Sequence, residues 1–218
     1  MGEIDREEIK RMRRSYGESG LSEADLAKDP IEQFQRWLAD AAQTPAIVEP
    51  NAMVLSTQSG NATRSRSVLL KDVTADGFTF FTNYNSAKSR QIEINSEVSL
   101  LFPWYPMERQ VIVIGSAERV SASESDQYFA SRPWSSQIGA WASAQSEPLE
   151  SREELEKLWQ QMAAKYPEGS QVPRPPHWGG YRVVPTEIEF WQGRYSRLHD
   201  RIRYTRTVSN WNVARFFP

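Results

Sequence analysis

Hydrophobic residues recur along the chain with two different spacings. Between residues 30 and 43 the spacing is three or four, the period of an amphipathic helix. Its apolar face consists of Ile31, Phe34, Leu38 and Ala41. Asp29 and Pro30 come directly before it, as expected of an N-cap and a first turn. From residue 52 to 83, short β-rich runs are separated by QSGN and TADG, which predicts an antiparallel meander.

The two patterns alternate through the rest of the chain. Further helices are predicted at 86–96, 121–133 and 151–166, and further strands at 97–105, at 109–120 and from residue 181 onward. Ser86 is the expected N-cap of the first, and Ser151 and Glu154 form a capping box in the last. Because no strand–helix–strand rhythm is present, the fold class is mainly β with peripheral helices (α+β), an antiparallel barrel. Residues 1–20 are predicted to be a charged N-terminal arm, and residues 21–218 a single domain.

Composition excludes several classes of protein. The chain has no cysteine and two histidines, so thiolate chemistry is absent and we expect no metal site, although a carboxylate-only site stays open. The net charge of −2 argues against a nucleic-acid partner. The charged N-terminus lacks a signal-peptide pattern, and no apolar run approaches the ~18 residues that span a bilayer. A soluble, cytoplasmic protein without a membrane partner is the expectation.

The segment RYSRLHDR, residues 194–201, concentrates cationic side chains at the tip of a predicted hairpin. If a strand begins near Ser196, then Arg197, His199 and Arg201 share one face. Such a face suits an anion such as phosphate. It equally suits a solvated edge strand that resists aggregation.

Three other segments carry anion-binding side chains. RSRSVLLK contains Arg66 and Lys71, and FTNYNSAK contains Thr82, Ser86 and Lys88. The third segment supplies Tyr128, Arg132, Ser136, Gln145 and Ser146. Arginine binds phosphate through two parallel hydrogen bonds. An ordinary strand with charged ends is nevertheless the favoured explanation of the first segment taken alone, and a capped surface helix explains the second equally well. Because acid–base groups are few, a cofactor is expected to perform the difficult chemistry.

These segments, in this order, resemble the pyridoxine/pyridoxamine 5′-phosphate oxidase family. The matching blocks are RSVLLK, FFTN with SAK, SLLFPW, RQVIVIG, YFASRP with SSQIGAW, VPRPPHWGGYR and IEFWQGRYSRLHDR. The resemblance implies an FMN-binding split β-barrel that forms a homodimer with FMN at the interface. It implies oxidation of pyridoxine or pyridoxamine 5′-phosphate to pyridoxal 5′-phosphate in vitamin B6 biosynthesis. It further implies that a hydride passes from C4′ to flavin N5 and that O₂ is the acceptor, which gives H₂O₂, with NH₃ released from the amine.

The resemblance also assigns roles to residues. The implied FMN-binding residues are Arg66, Ser67, Val68, Leu69, Leu70, Lys71, Phe81, Thr82, Lys88, Gln110, Gln145, Ser146, Trp191 and Arg201. The implied substrate-binding residues are Lys71, Tyr128, Arg132, Ser136, Arg197, Leu198, His199 and, at the N-terminus, Arg13 and Tyr16. Of these, Arg197 and His199 would lie over the substrate ring as the catalytic residues.

Three positions depart from the family pattern. Ala87 stands where a basic residue is usual, Phe81 where tyrosine is usual, and Trp134 where a polar residue is common. We therefore expect activity with looser FMN binding. The preferred vitamer, a second pyridoxal phosphate site and the order of the N-terminal arm stay open. Two alternatives are a non-catalytic barrel that binds pyridoxal phosphate or FMN, and a flavin reductase with another substrate.

Overall fold

A computed structural model describes residues 6–11, 15–17 and 19–218. The strands are β1 (Ala52–Ser59), β2 (Ala62–Leu69), β3 (Asp72–Thr74), β4 (Gly77–Asn83), β5 (Glu97–Trp104), β6 (Arg109–Arg119), β7 (Trp178–Gln192), β8 (Asp200–Arg206) and β9 (Trp211–Phe216). The helices are α1 (Arg6–Arg11), α2 (Pro30–Ala42), α3 (Ala87–Ile94), α4 (Ala122–Ser131), α5 (Trp134–Ala142) and α6 (Arg152–Lys165).

All strand pairs in the sheet are antiparallel, and the sheet closes on itself. The strand order β2-β1-β5-β6-β7-β4-β3 places β2 and β3 at opposite edges, yet only Leu70 and Lys71 separate them in the chain. These two residues donate backbone hydrogen bonds to opposite neighbours, Leu70 to Asn51 (2.9 Å) and Lys71 to Thr79 (2.8 Å). The link therefore joins the two edges, and the sheet curls into a barrel.

The long strand β7 is shared between the barrel and a C-terminal extension. β6 pairs with it along one side. On the other side, β4 pairs with its first half, Trp178–Val183, and β8 pairs with its second half, Glu187–Gln192. β9 then pairs with β8. The first half of β7 thus belongs to the barrel, and its second half carries the C-terminal extension.

The barrel interior is filled by aromatic side chains. Phe34 of α2 is fully buried and meets Phe78 and Phe102 edge to face, with ring centroids 4.9 and 4.8 Å apart. Burying each such side chain contributes about 1.5–3 kcal/mol. A smaller cluster lies outside the barrel, between α4, α5, α6 and the start of β7, and contains Phe129, Ile138, Val172 and Trp178. The second cluster fixes the helices that border the site described below.

The main elements follow the sequence-based predictions. Asp29 caps α2 through Ile31 N–H (2.8 Å), the β1–β4 meander is present, and α3, α4 and α6 lie where expected. The capping box predicted at Ser151 is only half formed, because Glu154 accepts its hydrogen bond from Glu150 N–H. A complete capping box joins Ser121 and Glu124 instead.

Two predictions were wrong. No strand begins near Ser196: residues 195–197 form a 3₁₀ turn with left-handed backbone at Ser196 (φ 56°) and Arg197 (φ 64°), and β8 starts at Asp200. Strand alternation therefore does not place Arg197, His199 and Arg201 on one face. The sequence also missed α5, because Pro133, expected only to end α4, occupies the N-cap of a new helix.

No helix in the described ranges is long and apolar enough to cross a membrane. Nor do these ranges bring together three His, Asp or Glu side chains that could hold a metal ion.

Candidate anion-binding site

A cavity of about 650 Å³ opens between the β2–β3 link, the end of β4 and helices α4 and α5. Its size lies within the ~300–1,000 Å³ typical of small-molecule sites. Its lining residues are Ser67, Val68, Leu69, Lys71, Phe81, Thr82, Asn83, Lys88, Tyr128, Ser131, Arg132, Pro133, Ser136, Gly139, Ala140, Ser143, Gln145 and Trp178. Many of the predicted site residues therefore meet in one cavity, although they come from distant parts of the chain.

One end of the cavity is a polar cradle where β4 passes into α3. The Lys88 ammonium donates to Gln145 Oε1 (2.8 Å), Thr82 Oγ1 (3.1 Å) and Ser86 Oγ (3.3 Å). Ser86 occupies the N-cap of α3 but makes no capping hydrogen bond with its side chain. The first backbone N–H groups of a helix favour an anion. The cradle therefore presents a cation, hydroxyls and a helix N-terminus together.

Arg66 stands behind this cradle on β2. Its guanidinium donates to Thr57 Oγ1 (2.7 Å), Gln91 Oε1 (2.9 Å) and the Leu55 carbonyl (3.2 Å), all of them uncharged acceptors. It does not line the cavity, but its charge acts on Lys88. Within the described residues, neither cation has a carboxylate partner.

The pKa values of Lys88 and Arg66 reflect the presence of two neighbouring cations without a carboxylate of the described residues between them. Burial and the neighbouring charge of Arg66 lower the pKa of Lys88 to about 8. Burial likewise lowers the pKa of Arg66, which remains protonated at neutral pH because arginine starts so high. An anion bound between the two would relieve the repulsion and hold Lys88 in its charged form.

A second set of anion-binding groups lines the same cavity. Tyr128 on α4, Arg132 at its C-terminal cap, Ser136 on α5 and Lys71 in the β2–β3 link all face the cavity. Burial lowers the pKa of Arg132, and its Nη1 is buried without a hydrogen-bond partner. A buried donor without a partner costs about 1–3 kcal/mol. The Arg132 side chain can therefore donate a hydrogen bond to an oxygen of a ligand.

Not every predicted FMN-binding residue lines this cavity. Ser67, Val68 and Leu69 line it, but the Leu70 side chain is buried in the barrel core. Ser146 follows Gln145 with left-handed backbone (φ 75°) and an exposed side chain.

Sequence reasoning missed several lining residues, and Trp178 is the most prominent. Its ring lies nearly parallel to those of Phe81 and Tyr128, with centroids 5.6 and 6.1 Å away. The available signal was the WGG triplet, in which an aromatic residue precedes two consecutive glycines at the start of a strand.

The remaining predicted residues form a second group, at the far end of β7. Tyr16, Trp191 and His199 make a ring cluster: the His199 ring centroid is 5.2 Å from Tyr16 and 4.7 Å from Trp191. Gly193 leaves room for this contact, since a Cβ there would lie 2.8 Å from Tyr16 Cδ1. Gln110 pairs with Trp191 across β6 and β7. Arg13 falls outside the described residues.

The histidine in this cluster has a defined tautomer. His199 Nδ1 accepts a hydrogen bond from Arg194 N–H (3.0 Å), so a neutral ring carries its proton on Nε2. Burial and the nearby charge of Arg197 lower the pKa of His199. The ring is therefore neutral at pH 7. Arg197 and Leu198 are both exposed beside it.

Arg201 is committed to a different contact. Its guanidinium makes two 3.0 Å hydrogen bonds to the two carboxylate oxygens of Glu189, which is 4% exposed. The pKa of Glu189 is lowered by Arg201 and Arg203 despite its burial, and that of Arg201 is raised. The strand alternation that was expected to place Arg201 beside Arg197 and His199 is absent. The role of Arg201 in binding FMN stays a prediction.

The two groups lie at opposite ends of β7. Trp178, at the cavity, and Trp191, in the ring cluster, are 13 positions apart on the same strand. At ~3.3 Å per residue the strand runs about 40 Å along its length between them.

The cavity residues fit a flavin phosphate. Two cations without acidic partners, a helix N-terminus and neutral hydrogen-bonding groups meet at one end, and the β2 backbone lines the adjoining wall. The barrel and its cavity define a split-barrel protein with a small-molecule cavity lined by anion-binding side chains.

Comparisons with known proteins identify the family. Residues 39–158 match the model described as pyridoxamine 5′-phosphate oxidase, and residues 178–218 match the pyridoxine 5′-phosphate oxidase C-terminal dimerisation region. A pyridoxine/pyridoxamine 5′-phosphate oxidase of Rubrobacter xylanophilus is 52% identical over 100% of both chains. One of Streptomyces avermitilis is 51% identical over 95% of both. The chain belongs to the pyridoxine/pyridoxamine 5′-phosphate oxidase family, which is a family of oxidoreductases and indicates a flavin cofactor.

Solved structures agree with this fold. PhzG from Burkholderia lata, in complex with tetrahydrophenazine-1-carboxylic acid, superimposes with a TM-score of 0.85 at 31% identity, covering 93% of this chain and 100% of that one. An FMN-binding protein from Nostoc punctiforme shares the fold with a TM-score of 0.70 at 13% identity, covering 88% of this chain and 100% of the other.

Proposed function

We propose that the protein oxidises pyridoxine 5′-phosphate and pyridoxamine 5′-phosphate to pyridoxal 5′-phosphate, with FMN as cofactor and O₂ as electron acceptor. The alcohol and O₂ give the aldehyde and H₂O₂. The amine also consumes water and releases NH₃. The names of relatives about 50% identical over nearly the full length support the reaction.

One observation carries the proposal for this chain itself. The cavity is lined by two sets of phosphate-binding groups on different elements: Lys88 with Thr82, where β4 passes into α3, and Arg132 with Tyr128, on α4 and at its C-terminal cap. Within the described residues none of the cations in these sets has a carboxylate partner. A phosphorylated cofactor beside a phosphorylated substrate needs two such sets.

The first set would hold the FMN phosphate. Lys88 and Arg66 would supply the charge, and Thr82 and Gln145 would supply neutral contacts. Ser67, Val68 and Leu69 would line the ring system, with Leu70 packed behind them, Phe81 on the cavity wall and Ser146 next to Gln145. FMN would contribute two-electron acceptance, which none of the twenty side chains can provide at a carbinol or amine carbon.

The second set would hold the substrate phosphate. Arg132 would bind it bidentately, since that geometry matches a phosphate. Tyr128, Ser136 and Lys71 would donate to its other oxygens. Fixing the phosphate at one end fixes the position of the reacting carbon at the other end of the substrate ring.

A partner subunit would complete the site as a homodimer. The ring cluster of Tyr16, Trp191 and His199 lies about 40 Å of strand away from the cavity of its own chain. Arg197 and His199, the proposed catalytic residues, would therefore serve the cavity of the partner, with Leu198 beside them. Gln110, Trp191 and Arg201 would complete the FMN site, and Arg13 and Tyr16 would border the substrate. The match of residues 178–218 to a dimerisation region supports this arrangement.

In that arrangement the proton positions follow from the hydrogen bonds of this chain. Neutral His199 would present Nε2–H to an oxygen of the substrate ring. Arg197 would orient the substrate near C4′.

The proposal is tested anaerobically with the FMN-loaded protein. Adding pyridoxine 5′-phosphate should bleach the visible flavin band and produce the absorbance of pyridoxal 5′-phosphate. The experiment is repeated with pyridoxamine 5′-phosphate. A bound flavin that neither substrate bleaches would overturn the proposed reaction and favour a binding role or another substrate.

A flavin oxidase acting on another substrate is the second candidate. The PhzG structure, which is 31% identical, contains a carboxylic acid ligand. The two relatives named as pyridoxine/pyridoxamine 5′-phosphate oxidases are more similar, at 51% and 52% identity. The second phosphate-binding set at Arg132 also favours a phosphorylated substrate.

A further inference from the structure

Three aromatic rings form one wall of the cavity, below the proposed substrate phosphate. The Phe81 and Tyr128 ring centroids are 4.0 Å apart, and both rings lie within 11° of parallel to Trp178. The Arg132 guanidinium carbon lies 4.7 Å from the Trp178 ring centroid. Trp178 thus contacts both phosphate-binding side chains of α4.

The WGG triplet explains how the backbone builds this wall. Gly180 pairs with Phe81 across β4 and β7, and a Cβ on it would come within 2.7 Å of Phe81 Cε1. Gly179 similarly makes room for the Tyr84 ring. The missing side chains let both rings lie flat on the strand. Trp178 is 6% exposed.

Arg132 depends on this wall for its surroundings. It ends α4, directly before Pro133, and forms no ion pair within the described part of the chain. Its Nη1 has no hydrogen-bond partner, and its guanidinium carbon lies over two aromatic rings, Trp178 at 4.7 Å and Phe129 at 5.7 Å from the ring centroid. A cation over an indole face is attracted by the ring quadrupole, most strongly when water is excluded.

We propose that Trp178 is a positioning residue for the substrate phosphate. Its face holds the Arg132 guanidinium in place, and together with Phe81 it fixes the Tyr128 ring. The inference rests on the proposed function only in assigning Arg132 and Tyr128 to the substrate phosphate. It predicts that the π face of Trp178, and not merely its volume, sets phosphate affinity.

The test uses Trp178→Leu and Trp178→Phe in the FMN-loaded protein. Binding of inorganic phosphate is measured by titration calorimetry, and KM and kcat are measured with pyridoxine 5′-phosphate. Loss of the cation–π contact should raise both the phosphate Kd and KM about 3- to 30-fold in Trp178→Leu. The Phe variant keeps a ring face and should stay within about threefold of the parent protein.

Trp159→Leu is the matched control. This variant also replaces a tryptophan by leucine. Trp159 lies on α6 and packs against the smaller hydrophobic cluster that contains Trp178, but it does not line the cavity. The variant should leave the phosphate Kd unchanged. FMN affinity and kcat should remain within about twofold in all three variants, and circular dichroism confirms that each is folded.

Three outcomes would overturn the inference: unchanged phosphate binding in Trp178→Leu, equal impairment in Trp178→Phe, or the same loss in Trp159→Leu. Calorimetry does not depend on turnover, so it separates this inference from the proposed reaction. A parent protein that binds phosphate through Trp178 but oxidises neither vitamer would retain the inference and refute the reaction.

Discussion

The cavity and the far end of β7 are both rich in cationic side chains, but the partners of these side chains differ. In the cavity, Lys88 and Arg66 donate only to neutral groups, and Arg132 rests on an aromatic face. At the far end, the cations are neutralised by buried carboxylates. Arg201 and Arg203 share Glu189, and Arg194 and Arg215 share Asp200.

The difference distinguishes binding charges from structural ones. A buried carboxylate needs compensating partners, so its arginines are already satisfied before any ligand arrives. A cation held only by neutral groups retains most of its attraction for an anion. Arg197 is the exception at the far end: within the described residues its side chain makes no ion pair, which leaves it available for substrate.

The largest expected effect separates Arg197 from its paired neighbours. Arg197→Ala should lower kcat/KM about 100-fold or more, because the side chain that would orient the substrate near C4′ is lost. FMN affinity should stay within about twofold. Steady-state kinetics and flavin fluorescence measure the two effects. Arg206→Ala, an exposed arginine on the same hairpin, is the control and should change neither. Equal loss of turnover and FMN binding in Arg197→Ala would refute the division of roles.

Removing the buried carboxylate of Glu189 should lower the stability of the fold rather than the activity. Glu189→Gln leaves Arg201 and Arg203 without their shared carboxylate, and we expect a loss of about 2–3 kcal/mol in the free energy of unfolding. The value is reduced because both arginines keep contact with water. Urea denaturation measures it. Glu187→Gln, which removes a more exposed partner of Arg203, should cost less than about 1 kcal/mol. Similar losses in both variants would show that burial of Glu189 is unimportant.

Removing an unpaired cavity cation should weaken cofactor binding. Lys88→Met should raise the FMN Kd about 10- to 100-fold, since a hydrogen bond to a charged group contributes ~1.5–3 kcal/mol. Arg90→Ala on the same helix removes a cation that is exposed and paired with Glu147. Its FMN Kd should change less than about twofold. Flavin fluorescence titration measures both values of the FMN Kd. Equal increases in Lys88→Met and Arg90→Ala would contradict the distinction between paired and unpaired cations.

The smallest effect is a pH dependence. Because the pKa of Lys88 is lowered to about 8, its charge is present below that pH and is lost as pH rises through it. FMN affinity should therefore fall several-fold between about pH 7 and pH 9, less steeply once phosphate stabilises the charged form. Lys88→Arg should flatten this dependence, because arginine stays protonated. A flat profile in the parent protein would contradict the assignment.

Local patterns in the sequence were sufficient to predict much of the fold. Apolar periodicity and the Asp29–Pro30 start predicted α2, and turn sequences separated the meander strands, because these signals act within a few residues. The segments containing Lys88, Arg132 and Gln145 were recognised for their residue types. Their meeting in one cavity could not be read from spacing, since β4, α4 and the segment after α5 are brought together only by the closed sheet.

Tertiary structure alone decided which charges were paired and where the far hairpin turned. Ser196 and Arg197 adopt left-handed backbone because the chain must turn between β7 and β8, which overrides the alternation that the sequence suggested. Glu189 and Asp200 select their arginines through burial and sheet register, and neither leaves a local pattern. The sequence determined which elements and chemical groups the protein has, and long-range packing determined which of those charges a ligand could use.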